Sequence, residues 1–568
     1  MNKNTGHFAI LEQFLADNFE YMFGNPGTSE EGFIDALWDY PDLKYILTLQ
    51  ETIAVMMADG YARATQKPTL VQIHSTPGLG NAIGALYQAY RGHSPLVVIG
   101  GDAGIKYKAM EAQMAGDLVT FAEPVTKWST MVKESSSLLR VLRRAIKVAA
   151  TPPMGPVYVC LPIDILDAPV VEEVRPTTFP NTRTLPEEEL LKTSAAWLAS
   201  AQKPMIFVGD GVAFSNAQDE LTRVAELLGA EVWAADAGEV NMSYAHPLYQ
   251  GATGHMFGYQ SLPITSKGDV NLICGTYMLP EVFPELGEIY QPGAKIIHID
   301  LNAYDIAKNH RLDLGIVSDP KLTLAKLATA LETKMSSEQK IAAKSRTDRI
   351  AQNKKADLQL QLEADRQVRN SVPLHFSRFI EELAAQLPED AIIFDEAITN
   401  SLAITRYLPP TKPGHYFLTR GGSLGVGIPG AIGVKLANPS KTVIGFTGDG
   451  GAMYTIQGLW TAVRHNVDVK LVICHNSSYK ILQDNIEAYW QERGIPKHHF
   501  PLSFDLSKPY IGFDEIARGM GVKAIRIEKP EEIAPGIEQA LAYDGPFLID
   551  LILEGDVDPE MIGIRCGQ

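Results

Sequence analysis

Residues 441–476, KTVIGFTGDGGAMYTIQGLWTAVRHNVDVKLVICHN, constrain the fold more than any other stretch. An apolar strand (Val443–Phe446) runs into Gly448-Asp449-Gly450-Gly451. A helix follows, and a second apolar strand (Val469–Cys474) leads to Asn476. Two strands joined by one helical crossover are parallel, and their carboxyl ends open on one crevice, where α/β sheets bind ligands. Glycines let the backbone approach phosphate, and the start of the next helix offers free N–H groups and the positive end of a dipole. Asp449 and the Asn476 side-chain oxygen suit Mg2+, a hard cation that holds diphosphates through few protein oxygens. GDGG alone is ordinary turn chemistry. Its separation from Asn476, 27 positions (449 to 476), makes the pattern specific.

The bulk numbers agree with a large α/β enzyme. A chain of 568 residues has room for roughly three or four domains. Its 45% hydrophobic and 21% charged content is ordinary for globular cores. A net charge of −17 opposes nucleic acid or an anionic membrane as a main partner. Cys160, Cys274, Cys474 and Cys566 are scattered, so no disulfide framework or zinc motif is readable. The N-terminal MNKNTGHFAILEQF lacks a signal-peptide core and no apolar run reaches 18 residues, so a cytoplasmic location is expected.

Three α/β segments follow one another. Phe8, Leu11, Phe14 and Leu15 have helical spacing. Tyr21–Phe23 reads as a short strand and Gly24–Thr28 as a loop, with a helix starting near Ser29. Glu30 and Glu31 then fall in its first turn, as the helix dipole prefers. Further strands are expected at 70–74, 96–100 and 157–161. The polar, proline-bearing stretch 170–188 reads as a linker. A second segment starts at Pro204 and includes strands at 270–274 and 295–299. Residues 334–370 read as a solvated helical linker, and a third segment runs from about 372 to 555. The expectation is a doubly wound parallel sheet in each of three domains: 1–170, 189–335 and 371–555.

The GDG-to-Asn pattern resembles the binding motif for thiamine diphosphate (ThDP). The resemblance implies that Asp449, the Asn476 side chain and the Ser478 carbonyl hold Mg2+. That motif usually ends Asn-Asn, and here it ends His475-Asn476; the second Asn is the family's ligand. Thr48–Arg63, Gly24-Asn25-Pro26-Gly27-Thr28 and Gly155-Pro156-Val157-Tyr158-Val159 extend the likeness to the first domain of ThDP-dependent 2-oxo acid decarboxylases and acetolactate synthases. The domains would then be pyrimidine-binding, middle and diphosphate-binding. Glu51 would meet N1′ of the cofactor's aminopyrimidine and start the proton exchange that forms the C2 ylid. Without the resemblance, Glu51 is only a helix-start carboxylate.

Benzoylformate decarboxylase gives the nearest template. His74-Ser75, Gly78-Leu79-Gly80-Asn81-Ala82 and Arg91-Gly92-His93-Ser94-Pro95 fit it, and Thr28 stands where it has Ser. His74 would be an acid/base near the substrate carbonyl, for which histidine's pKa is suited; the bland reading is a hydrogen-bonded histidine at a strand end. Thr28 joins Glu51 and His74 in the catalytic set. Asn81, Thr399, Asn400, Leu424, Gly448, Gly450, Gly451, Ser478 and Tyr479 would contact the cofactor, with Leu424 beneath its bent form. Gln113, Met114, Lys480, Ile481 and Leu482 would shape the substrate pocket. Residues 275–297 hold no His, where the template supplies a second one, so a polar, smaller or differently shaped 2-oxo acid is expected in place of benzoylformate.

The leading reading is a ThDP- and Mg2+-dependent lyase or carboligase acting on a 2-oxo acid. One alternative is an acetolactate-synthase-like transferase, with FAD undecided because Gly209-Asp210-Gly211 is too short a signal. Another is a lyase for 2-hydroxyacyl-coenzyme A, for which the tail 562–566 provides little lid. A non-catalytic ThDP-fold protein is opposed by the presence of Glu51, Asp449 and Asn476 together. In the family the cofactor lies between subunits, which implies a dimer or tetramer, small-molecule partners, and no nucleic acid or membrane.

Overall fold

The computed structural model describes residues 4–555; Cys566 and the tail 562–566 lie outside them. Three six-stranded sheets with interleaved helices make up the fold, as the alternating pattern predicted. The first contains β1 (Tyr21–Gly24), β2 (Lys44–Leu47), β3 (Thr69–His74), β4 (Leu96–Asp102), β5 (Trp128–Met131) and β6 (Val157–Pro162), in the order β2-β1-β3-β4-β6-β5. The second contains β7 (Pro204–Val208), β8 (Glu231–Ala234), β9 (Tyr249–Ala252), β10 (Val270–Cys274), β11 (Lys295–Asp300) and β12 (Leu314–Val317), in the order β12-β11-β10-β7-β8-β9. The third includes β13 (Ile392–Glu396), β14 (Tyr416–Leu418), β15 (Val443–Gly448), β16 (Lys470–His475), β17 (Lys523–Ile527) and β18 (Phe547–Ile552). Beyond the edge strand β14 the order runs β13-β15-β16-β18-β17, all parallel, with β17 at the other edge.

The central strands are buried along their whole length: β4, β6 and β16 carry no exposed position. Helices cover both faces of such a sheet, so its strands read as continuous apolar runs with no alternation. In the first sheet two strands escape the sequence reading for the opposite reason. Lys44–Leu47 and Trp128–Met131 are four-residue elements with mostly half-buried positions, and they lie at the sheet edges.

The chain clusters into two compact units. One comprises residues up to Phe179, Val368–Tyr407 and everything from Gly421; the other comprises Pro180–Gln367 with Leu408–Arg420. The longer segment of the second unit ends in a helix of 31 residues, Ser337–Gln367, in which only Ala343, Ile350 and Asp365 are buried. Lys354 of this helix donates to the carbonyls of Tyr244, His246 and Tyr249, and burial pulls its ammonium down to about 8.

Inside the first unit the first and third sheets are joined through one helix pair. Glu51–Thr65 packs on Gly427–Ala437 with backbone close to backbone, because glycines remove the side chains between them. A Cβ at Gly60 would strike the Gly430 carbonyl, and one at Gly433 would strike the Met57 carbonyl. A second tie lies at the end of β2, where the Leu47 N–H donates to His465 Nε2 at 3.0 Å and Thr461 Oγ1 donates to the Leu47 carbonyl at 3.1 Å. Burial lowers the pKa of His465, which suits an imidazole that must accept.

Candidate active site

The predicted residues form two groups inside the first unit. The first group is built by β1, β3 and the helices that follow. Glu51 begins its helix at 6% exposure. Asn25 Nδ2 donates to Glu51 Oε1 at 3.1 Å and Asn81 Nδ2 donates to Oε2 at 2.9 Å. Gly78 leaves room beside it, since a Cβ there would lie 3.1 Å from Oε1. The carboxyl is therefore fixed by two amides from two separate elements. Asn81, expected at the cofactor, contacts Glu51.

His74 ends β3 and precedes the helix Ser75–Arg91. Its Nδ1 lies 2.8 Å from Glu30 Oε2. The sequence put Glu30 in the first turn of a helix, facing the dipole. Instead Thr28–Glu30 is a 3-10 turn, the helix is Glu31–Ala36, and Glu30 points inward at 3% exposure. Its hydrogen bond, followed by its charge, raises the pKa of His74 against the opposing effect of burial. Thr28 is exposed beside this pair. Gln113 and Met114 are exposed on the segment after β4, which is fastened to the His74 helix by Ser75 Oγ and Thr76 Oγ1 donating to the Met114 carbonyl.

The second group lines an open cleft at the carboxyl ends of β13, β15 and β16. Thr399, Asn400, Leu424, Gly448, Asp449, Gly450, Gly451, Asn476, Ser478, Tyr479, Lys480 and Ile481 all border it; Leu482 does not, and is exposed. Asp449 is 3% exposed, with Oδ1 accepting from the Gly450 N–H at 2.8 Å and Oδ2 from the Ser477 N–H at 2.6 Å. Burial raises its pKa, and His475 with the backbone donors draws it back. Asn476 Oδ1 accepts from the Ser478 N–H at 3.1 Å.

Ile398 and Ser477 take φ of 53° and 56° at the cleft, and Ser75 takes 44° beside His74. Left-handed backbone is costly for a β-branched residue such as Ile398 and clusters at functional sites. The unusual His475 is accounted for as well: its Nδ1 pairs with Asp550 Oδ1 at 2.8 Å, both buried, and its ring stacks on Tyr510.

These residues fit the group that the motif implies. A carboxylate, an amide oxygen and a carbonyl are hard oxygen donors, too few alone for Mg2+ and suited to one that is also held by diphosphate. Among the described residues no group of three or more His, Cys, Asp and Glu offers a rival metal site. Gly448 has open space where a Cβ would stand, and Asp449–Thr455 starts at the cleft with its N–H groups. FAD has no comparable cradle at Gly209–Gly211. The Gly211 N–H donates to the Gly275 carbonyl at 3.0 Å, and a Cβ at Gly209 would meet Thr276. Asp210 is engaged by the Gly238 and Glu239 N–H groups and by Arg420.

Sequence reasoning missed a second buried acid that bears on the site, besides Glu30. Glu396, at the end of β13, is fully buried and accepts from the N–H groups of Gly425 (2.6 Å), Val426 (3.2 Å) and Gly427 (2.7 Å) and from Thr447 Oγ1 (2.9 Å). It fixes the loop that carries Leu424. Burial pushes its carboxyl up to about 7. The only available signal was an acid at the end of an apolar strand.

Comparison with known proteins agrees along the whole chain. "Thiamine pyrophosphate enzyme, N-terminal TPP binding domain" matches residues 4–120, the central domain of that family matches 191–327, and its C-terminal TPP binding domain matches 398–551. A benzoylformate decarboxylase of Pseudomonas aeruginosa is 30% identical over 96% of this chain and 98% of its own. The acetolactate synthase isozyme 3 large subunit of Escherichia coli is 28% identical over 100% of this chain and 98% of its own. A solved ThDP-dependent 4-hydroxybenzoylformate decarboxylase of Rhodococcus jostii RHA1 superposes with a TM-score of 0.83 at 26% identity, covering 97% of this chain and 99% of that one.

Proposed function

The chain belongs to the thiamine diphosphate-dependent enzyme family, and from that membership we propose that it is a Mg2+-dependent lyase or carboligase acting on a 2-oxo acid. It would release CO2 and yield either an aldehyde or the acyloin formed with a second carbonyl. One observation carries the reading: Glu51 is held by two amides in one group, while Asp449, Asn476 and Ser478 converge on a glycine-rimmed cleft in the other. When bound, ThDP supplies a carbon nucleophile and an electron sink that no side chain offers.

The chain's own groups would do the rest. Asp449, Asn476 and the Ser478 carbonyl would hold Mg2+, and the N–H groups after Gly448 would bind diphosphate. Glu396 would keep the Leu424 loop in place. Glu51 would take and return a proton at its carboxylate, with Asn25 and Asn81 fixing its direction. His74 would hold a proton near the substrate oxygen, and Thr28 would orient that substrate. Lys480 is the basic side chain on the cleft wall, which favours an acid more polar than benzoylformate.

Assembly as a dimer or tetramer is part of the same proposal. Glu51 does not line the cleft of its own chain. Leu49, Tyr87, Met453 and Tyr454, which flank the two groups, are 43–58% exposed, and apolar surface of this kind marks contact sites. In such an assembly Glu51 of one copy would serve the cleft of the other. Domain limits of 1–170, 189–335 and 371–555 go with this reading. Among the described residues no helix is long and apolar enough to cross a membrane; a cytoplasmic location is part of the proposal.

The test is CO2 release from a panel of aliphatic, branched, aromatic and dicarboxylic 2-oxo acids, with products identified by mass spectrometry. An aldehyde or acyloin from one acid is expected. Bound ThDP with no CO2 from any acid would overturn the substrate class.

A further inference from the structure

Glu30 is buried, acidic and absent from the chemistry described above, yet its contacts are unusually directed. Oε2 accepts the Gly27 N–H at 3.0 Å and faces His74 Nδ1 at 2.8 Å, and Oε1 accepts the Ser29 hydroxyl at 2.8 Å. The Gly27 N–H and the Ser29 hydroxyl approach as donors, and Ser29 Oγ, its hydrogen on Glu30, also lies 3.2 Å from His74 Nδ1, where it can only accept. Two glycines keep the arrangement possible: a Cβ at Gly101 would strike the Glu30 carboxyl, and one at Gly27 would strike the His74 ring. A carboxyl enclosed by donors accepts, so His74 Nδ1 must carry its hydrogen. The remaining ring nitrogen, Nε2, is then the only one free to gain or lose a proton. The imidazole is 18% exposed while the Glu30 side chain is 4% exposed, so the pair has one buried and one accessible end.

We propose that Glu30 is a positioning residue that locks His74 in one tautomer and keeps it protonated on Nε2 as the acid facing the substrate. The inference rests on the proposed 2-oxo acid chemistry for its purpose, but not for its geometry. The second acid that acts on His74 is Glu51, on the helix beyond β2. Tyr45 on β2 and Tyr158 on β6 feel the Glu30 charge from behind, and both phenols are pushed up, first by burial. The neighbouring phenols therefore stay neutral while His74 titrates. An imidazolium beside a buried carboxylate holds its proton to a higher pH than a free histidine. It could then donate from Nε2 to the developing alkoxide oxygen of a bound substrate and keep Nδ1–H on Glu30 throughout. The sequence hides the pair because its members lie 44 positions apart, and Glu30 alone reads as a helix-start acid.

The experiment is a pH titration of 15N-labelled histidine in the full-length protein, with the His74 resonances assigned by their loss in His74→Gln. In the unsubstituted protein, Nδ1 should stay protonated across the titration while Nε2 exchanges, with a midpoint above that of a free histidine. Glu30→Gln, checked for native fold by circular dichroism, should lower the midpoint by about one pH unit or more. The alkaline limb of kcat/KM should move down with it. A midpoint at or below the free-histidine value in the unsubstituted protein overturns the inference without any variant at position 30. So does an unchanged midpoint in Glu30→Gln. If no 2-oxo acid is turned over by any form, the functional reading falls, and the titration still decides the pair.

Discussion

Replacing Glu51 by Gln separates catalysis from folding more sharply than any other change. The carboxyl is 6% exposed and receives one amide donor on each oxygen, at 3.1 and 2.9 Å. Gln keeps the shape but has one acceptor oxygen, so one of the two asparagines would face an N–H2 group. The loss is one hydrogen bond to a charged group, about 1.5–3 kcal/mol, offset by no longer burying a charge. Stability should therefore change by no more than about 2 kcal/mol. Proton transfer at that position disappears entirely, and a positioned acid/base contributes about 10²–10⁴-fold, equivalent to about 3–5.5 kcal/mol of barrier. The assay pairs steady-state CO2 release with thermal unfolding on the same preparation. A fall in kcat of a hundredfold or more with a near-native melting curve is the expected outcome. Turnover within about threefold of the unsubstituted enzyme, far below the range for acid/base catalysis, would refute the reasoning.

Asp449→Ala should abolish Mg2+-dependent ThDP binding in calorimetry, because the carboxylate is the only charged oxygen in the proposed metal set; unchanged affinity would sink that assignment. Gly433→Ala should destabilise the protein by about 1–3 kcal/mol in denaturant unfolding, since its Cβ would meet the Met57 carbonyl across the helix seam. Glu396 gives a pH prediction. Its folded pKa of about 7 lies above the ordinary 4.5, so between these values the folded state binds more protons than the unfolded state and stability falls as pH rises. Glu396→Gln should flatten that slope in unfolding measured from pH 4.5 to 7, and an unaltered slope would count against the burial argument.

The third domain was the most legible, because its information is local. The strand, the glycine turn, the crossover and Asn476 occupy one continuous stretch, and the parallel sheet places their ends together. Glu51 was legible only through its surrounding motif. The partners that give these residues direction were hidden, because each is an accident of distant chain segments brought side by side. Asn25 and Asn81 reach Glu51 from opposite sides, Glu30 reaches back to His74, and Asp550 takes up the ring of His475. Glycine spacing at 60, 430 and 433 likewise carries no meaning until two helices cross there. Edge strands such as Lys44–Leu47 were lost because four residues with partial burial show no period.

The central claim is that this cleft makes the chain a ThDP enzyme. The most direct measurement is CO2 release by protein stripped of ThDP and divalent metal, then reconstituted with ThDP alone, Mg2+ alone, or both, using whichever 2-oxo acid is turned over. The account predicts turnover only when both are present, and none in any combination for Asp449→Ala. Turnover by the stripped protein, or equal turnover with either component alone, would contradict it.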